Sequence, residues 1–205
     1  MRVAVVGGTG PFGKALATRL REAGADVVIG SRDHDRATAT AVELGVEGAT
    51  NASAVVGADL VVLAVTADAA IDTARKLRKA IGATPALSVA SDLRFTPEGV
   101  VLAIDRMSLA ERIQKELEGP LVAGLHSLAA SNLATARPEE DAFVCGDDPE
   151  AKKLAIELAG GVISGRALDA GPLASARALE SMTALILNLN KRYRAHAGIR
   201  VTGIS

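Results

Sequence analysis

The sequence predicts an α/β fold: a doubly wound parallel sheet followed by a small C-terminal α/β extension that ends in a long helix. Three observations carry this. Short, near-continuously apolar runs at 3–6, 60–65 and 86–90, with a further strand-like run at 26–29, have the pattern of strands covered on both faces. Between them, stretches such as 13–23 and 69–81 place apolar residues at helical spacing. A glycine-rich turn joins the first run to the first such stretch. Strands separated by helices imply right-handed crossovers and hence a parallel sheet.

Further along, 108–117 reads as a helix and 120–125 as a strand, followed by the small and polar segment His126-Ser127-Leu128-Ala129-Ala130-Ser131-Asn132. The domain boundary is expected here, with 1–130 as the main domain and 131–205 as a smaller unit. That unit contains a strand at 142–145, a helix at 149–160 opened by Pro149 in its first turn, a strand at 165–170 and a long helix from about residue 173. In this last helix Leu179, Met182, Ile186, Leu189 and Tyr193 follow a three–four spacing, and Leu185 and Leu187 add apolar surface elsewhere around it. A helix apolar on more than one side is expected to pack against a second copy of the chain.

Composition narrows the partners. With 23 basic and 24 acidic residues in 205, and aromatics at 2%, the chain lacks the basic excess and stacking side chains of a nucleic-acid binder. A small-molecule partner is expected instead. Cys145 is the only cysteine, which rules out an internal disulfide or a cysteine-rich zinc site, and it reads as a buried apolar residue. No apolar run has the length of a membrane span, and the N-terminal run breaks at Gly7-Gly8, too early for a signal-peptide core. A cytoplasmic protein without membrane partners is expected.

The chemistry starts at Gly8-Thr9-Gly10-Pro11-Phe12-Gly13, a G-x-G-x-x-G that follows an apolar strand and opens a helix. In this Rossmann setting the glycines allow a tight turn, close approach of backbone to a pyrophosphate, and helix–strand packing. The second strand often ends in an acidic residue that takes the ribose 2′-hydroxyl; here Ser31 and Arg32 stand in its place. A hydroxyl and a guanidinium donate to a dianionic phosphate, so NADP is expected over NAD. Arg36 adds a second positive charge near the start of the next helix, while Asp33 and Asp35 favour that helix's N-terminus.

Other chemistry is missing. The only tyrosine, Tyr193, is followed by Arg-Ala-His-Ala rather than by a lysine four residues on, so the tyrosine–lysine pair of short-chain dehydrogenases is excluded. There is no Gly-x-Ser-x-Gly elbow or His-Glu-x-x-His, His34, His126 and His196 are scattered, and no metal site is expected. An NADP site without a proton-relay constellation suits hydride transfer between two stacked planar rings, which proximity and orientation accelerate.

Several segments together resemble the coenzyme F420-dependent NADP oxidoreductases, which pass hydride between NADP(H) and an 8-hydroxy-5-deazaflavin. They are MRVAVVGGTGPFGKALATRL, IGSRDHDRA, AIDTARKL, VCGDD, ALDAGPLASARALESMTALILNLN and KRYRAHAGIR, spread over essentially the whole chain. The resemblance implies that Thr9, Pro11 and Phe12 line the dinucleotide phosphates, that Ser31, Arg32 and Arg36 hold the 2′-phosphate, and that Val65, Thr66 and Ala130 border the nicotinamide. It implies that the deazaflavin lies between the two units near His126, and that the protein is a homodimer. His126 is the candidate catalytic residue, through a hydrogen bond to the acceptor's ring carbonyl or a proton passed to its ring nitrogen. The alternative for His126 is a strand-end cap. Glu180, Thr183 and Asn188 read as structural.

Three departures fall on the acceptor side. Thr66-Ala67 stand where the family often has proline and tryptophan, Ser88-Val89-Ala90-Ser91-Asp92 replaces a proline-containing turn, and Ser127-Leu128-Ala129 lacks the family's further proline or histidine. Two other readings therefore stay open: an NADPH-dependent reductase of a pterin or cyclic imine, and a non-catalytic NADP(H)-binding protein.

Overall fold

The computed structural model describes residues 1–103 and 106–204. In chain order the elements are β1 (Arg2–Val6), α1 (Pro11–Glu22), β2 (Asp26–Ser31), α2 (His34–Leu44), β3 (Glu47–Thr50), α3 (Asn51–Ala54), β4 (Leu60–Leu63), α4 (Ala67–Ile81) and β5 (Ala86–Ser88). A hairpin of β6 (Leu93–Thr96) and β7 (Gly99–Leu102) follows, then α5 (Leu109–Gln114), β8 (Leu121–Gly124), α6 (Ala130–Thr135), β9 (Ala142–Gly146), α7 (Pro149–Val162), β10 (Ala167–Asp169), a 3-10 turn at Leu173–Ser175, and α8 (Ala176–Tyr193).

Eight strands form one sheet in the order β10-β9-β8-β5-β4-β1-β2-β3. Pairing is parallel throughout except between β8 and β9, which run antiparallel. The exception arises because the chain stays at the C-terminal end of β8 through α6 and enters β9 from that end. β9 and β10 thus continue the sheet that the first half begins.

Alternate residues of each strand enter opposite cores. Val3, Val5, Leu60, Val62, Val122 and Val144 pack on one face with Leu16 and Leu20 of α1 and Leu158 of α7. Ala4, Val6, Val61, Leu63, Ala123 and Cys145 pack on the other with Ala74 and Leu77 of α4, Ile113 of α5 and Leu179 of α8. Double coverage is why these runs are apolar without alternation. Cys145 is fully buried, and that burial pushes its thiol up to about 12.

Helix ends follow local chemistry. Asp33 caps α2, its Oδ1 accepting from Arg36 N at 3.1 Å; Asp148 caps α7 ahead of Pro149, accepting from Ala151 N at 2.8 Å. Ser108 and Glu111 form a reciprocal capping box on α5. The last residues return to the sheet. Asp141 N donates to Ile199 O at 2.8 Å, Val201 N donates to the Asp141 carboxylate at 2.9 Å, and Arg166 binds that carboxylate at 2.7 Å.

The edge strand β3, the short helices α3 and α6, and the β6–β7 hairpin carry too little apolar periodicity to be read in the sequence. In α8 the expected apolar face is real over Leu179 and Ile186, whereas Leu185 and Tyr193 are exposed on the single chain. Among the described residues, no helix is long and apolar enough to cross a membrane.

Candidate functional site

In the strand order, β1 and β4 are neighbours while the chain winds away from them in opposite directions. Open α/β sheets bind ligands outside the carboxyl ends of the strands at such a switch point. Here that crevice lies between the turn after β1 and the residues after β4.

The turn is built from backbone. Gly7 has φ of +80°, and a Cβ on it would lie 2.5 Å from Ala64 O. The N–H groups of Gly7 and Gly8 both donate to Gly30 O at 3.1 Å, tying the turn to the end of β2. A Cβ on Gly13 would lie 2.6 Å from Gly7 O and 2.7 Å from Gly8 Cα, so α1 rests directly on the turn. Gly10 differs: a Cβ there meets only Gly7 O, at 3.4 Å. Packing does not demand this glycine, and the open space before it leaves room for a ligand to approach the backbone. Gly10 is also the N-cap of α1, and no side chain caps that helix. Its first-turn N–H groups suit an anion.

One cavity, of about 280 Å³, runs from this turn across the end of β2, lined among others by Thr9, Gly10, Ser31, Arg32, Arg36, Asn51, Val65 and Thr66. Ser31 is buried at the end of β2, and its Oγ accepts from Asp33 N at 3.2 Å. Asn51 Oδ1 is buried with no hydrogen-bond partner, and a Cβ on Gly30 would lie 2.7 Å from it, so this side chain packs directly on the end of β2. The Thr66 hydroxyl, hydrogen-bonded to Asp68, holds that carboxyl below the usual carboxylate range, and nearby Arg32 adds to the effect. These residues fit a phosphorylated nucleotide.

A second cavity, of about 330 Å³, is lined by Gly10, Pro11, Phe12, Ala64, Val65 and Thr66 together with Val89, Ser91, Leu93, Leu125, His126, Leu128 and Thr183. Gly10, Ala64, Val65 and Thr66 border both cavities, so the two form one cleft. His126 follows Leu125, which sits in the left-handed region at φ of 65°. The imidazole is 5% exposed, its Nε2 lies 3.3 Å from Ala90 O, and its Nδ1 is buried without a partner. Burial pushes its pKa down to about 4, so the ring is neutral at physiological pH. Since a carbonyl only accepts, Nε2 carries the proton and Nδ1 is left as an acceptor.

The sequence-predicted residues thus divide. Thr9, Gly10, Pro11, Phe12, Ser31, Arg32, Arg36, Val65, Thr66 and His126 line the cleft. Gly8 and Gly13 lie behind it and shape the turn. Ala130 opens α6 and lines neither cavity. Glu180, read as structural, is buried and accepts from Ala110 N at 3.2 Å at the start of α5, with burial raising its carboxyl. Thr183, also read as structural, is on the cavity wall. Gly7, Asn51, Ala64, Ser91 and Leu93 also belong to the cleft; Gly7 left a local signal as part of a Gly-Gly pair after a strand, and Ser91 lies in the segment 88–92 that departs from the family pattern. Among the described residues no group of three or more His, Cys, Asp or Glu side chains is placed to hold a metal.

Fold and cleft define a class: a Rossmann-type α/β protein with a nucleotide-suited cleft at the switch point of its sheet. Residues 2–92 match the family model described as NADP oxidoreductase, coenzyme F420-dependent. The F420-dependent NADP reductase of Methanothermobacter marburgensis is 36% identical over 222 residues, covering 100% of this chain and 99% of the relative. That of Methanothermobacter thermautotrophicus is 35% identical over 225 residues, covering 100% and 96%. A crystal structure from Arthrobacter sp. FB24, provisionally assigned as an F420-dependent NADP reductase, superposes with a TM-score of 0.87 at 25% identity, covering 99% of this chain and 100% of that one. The chain belongs to the F420-dependent NADP reductase family.

Proposed function

We propose that this protein is an NADP-dependent oxidoreductase that transfers hydride between NADP(H) and the deazaflavin coenzyme F420. The observation that carries this reading is the single cleft, polar and cationic toward Arg32 and Arg36, apolar toward His126, with Gly10, Ala64, Val65 and Thr66 common to both ends. NADPH supplies a hydride and the deazaflavin accepts it. The chain's work is to hold the two rings face to face and keep water out.

In this reading Gly10, Thr9, Pro11 and Phe12 take the pyrophosphate, and Ser31, Arg32 and Arg36 take the 2′-phosphate. Val65 and Thr66 border the nicotinamide, with Ala130 behind it at the start of α6. His126 contributes its neutral ring to the deazaflavin wall. Residues 1–130 hold NADP(H); residues 131–205 close the acceptor side through Thr183 and form the contact of a homodimer. The dimer is supported by Leu185 and Tyr193 on α8 and by Phe95 and Val101 on the adjoining hairpin, large apolar side chains that the single chain leaves exposed. A cytoplasmic protein that binds neither nucleic acid nor membrane fits the near-neutral charge balance.

The purified protein, given NADPH and oxidised F420, is expected to bleach the deazaflavin's visible absorbance at a rate proportional to protein concentration. An unchanged spectrum with coenzyme that a known reductase bleaches would overturn the reading. Turnover of a cyclic imine or pterin in its place would redirect it to another acceptor.

A further inference from the structure

The cavity beside the nicotinamide end of the cleft has four polar side chains on its wall, Thr66, Ser91, His126 and Thr183, and the last three direct their hydrogens into the protein. Thr66 bonds Asp68. Thr183 Oγ1 lies 3.0 Å from His126 O, and a main-chain carbonyl only accepts, so the Thr183 hydrogen goes there. Ser91 Oγ lies 2.8 Å from Thr183 Oγ1. With the Thr183 hydrogen already placed, Ser91 is the donor in that contact and its own oxygen keeps free lone pairs. His126, with its proton on Nε2 toward Ala90 O, adds an unpartnered Nδ1. A serine hydroxyl normally rotates to donate or accept as its neighbour requires; bonded to Thr183, this one is set to accept.

We propose that Ser91, oriented by Thr183, is a specificity-determining residue that accepts a hydrogen bond from a ring N–H of the planar heterocycle in this cavity. The site then selects a lactam or imide edge and rejects the same ring when that nitrogen is alkylated. The proposal rests on the reading of this cavity as the deazaflavin site, whose pyrimidinedione ring carries an imide N–H between two carbonyls. Ser91 is the specificity residue and Thr183 the positioning residue, acting through it from a helix 92 residues away in sequence.

The test uses the full chain saturated with NADP⁺ and two probes, 8-hydroxy-5-deazariboflavin and its N3-methyl derivative, with dissociation constants from fluorescence quenching. The wild-type protein is expected to bind the N–H form about tenfold more tightly. Ser91→Ala is expected to bind the two alike. Thr183→Val, which keeps the size of the wall but frees the Ser91 hydroxyl to rotate, is expected to lose most of the preference, and Thr183→Ser to restore it. A wild-type protein that binds both probes equally overturns the proposal without any variant having to fold, while leaving the deazaflavin reading intact. So does a full preference retained in Ser91→Ala, or in Thr183→Val. A wild-type protein that neither binds the N–H probe nor bleaches it with NADPH overturns the functional reading, and the proposal with it.

Discussion

The side-chain amide of Asn188 brackets the backbone of Val100: its Oδ1 accepts from Val100 N at 2.8 Å and its Nδ2 donates to Val100 O at 2.7 Å. One residue of α8 thereby takes the place of a strand partner for β7, and the β6–β7 hairpin, outside the main sheet, is fastened to the long helix. The hairpin carries Leu93 to the wall of the second cavity. Asn188→Ala removes both bonds and is expected to cost about 2 kcal/mol. Amide exchange at Val100 and Val101 should rise, exchange in β1 and β4 should not, and the KM for the deazaflavin should increase more than that for NADPH. Hydrogen exchange and steady-state kinetics check the two halves of this.

Arg32→Ala is expected to weaken NADPH binding by roughly 10- to 100-fold, the worth of one or two charge-assisted hydrogen bonds to phosphate, and to leave NADH binding nearly unchanged. Arg36→Ala should act in the same direction with a smaller effect. Titration of both variants with both nucleotides decides it: equal losses for NADPH and NADH would remove Arg32 from the 2′-phosphate site.

Gly13→Ala places a methyl group 2.6 Å from Gly7 O and 2.7 Å from Gly8 Cα, where only backbone could yield. The expected result is a stability loss of about 1–3 kcal/mol and a displaced turn that no longer binds NADPH well. Gly10→Ala, with nothing closer than 3.4 Å, should fold normally and lose nucleotide affinity alone. Denaturant melts set beside NADPH titrations separate packing from ligand approach.

His126 has a pKa of about 4 in the fold, against 6.5 for a free imidazole. The folded state therefore binds fewer protons than the unfolded chain between these values. Its contribution to stability is complete above about pH 6.5 and declines as the pH falls to about 4, a total of roughly 3 kcal/mol. Glu140 and Glu180, whose carboxyls burial raises, change in the opposite sense, so the wild type is best compared with His126→Gln. The variant should show a shallower loss of stability from pH 7 to pH 4 in urea melts. Hydride transfer should show no ionisation from His126 above pH 6.

Asp141, 1% exposed, is held well below the usual carboxylate range, first by the Arg166 guanidinium and then by the N–H groups of Val201 and Arg166. Arg166 also binds Val201 O and, at 2.9 Å, Ile204 O, so this pair fastens the C-terminal residues to β9 and β10. Asp141→Ala is expected to cost about 3 kcal/mol and to open residues 198–204 to proteolysis. In the wild type this contribution is present above pH 3.8 and is lost in stronger acid. Limited proteolysis followed by mass measurement of the C-terminus checks the release.

Much of the lining of the first cavity was legible because it is local in sequence. The G-x-G-x-x-G turn, the Ser31-Arg32 pair and the Asp33 cap each act within a few residues of their own position, where spacing and residue type suffice. Asn51 was not legible. It has no periodicity to mark it, and its place beside Arg32 exists only because α3 follows β3, an edge strand with little apolar signal.

The second cavity shows the other limit. In the sequence Ser91 is one residue of a segment, 88–92, that departs from the family pattern, and Thr183 reads as a structural polar position in a helix. Their hydroxyls meet because α8 packs against the sheet end where β5 and β8 deliver Ser91 and His126, and that meeting sets which atoms donate. By itself the sequence determined the α/β alternation, the nucleotide turn, the phosphate preference and the family. Only the tertiary structure decided that β9 and β10 extend the one sheet, that His126 is neutral with its proton on Nε2, and that Ser91 faces the cavity as an acceptor. The division is physical: propensity, capping and turn chemistry act over a few residues, whereas burial and hydrogen-bond polarity depend on partners the chain brings together only by folding.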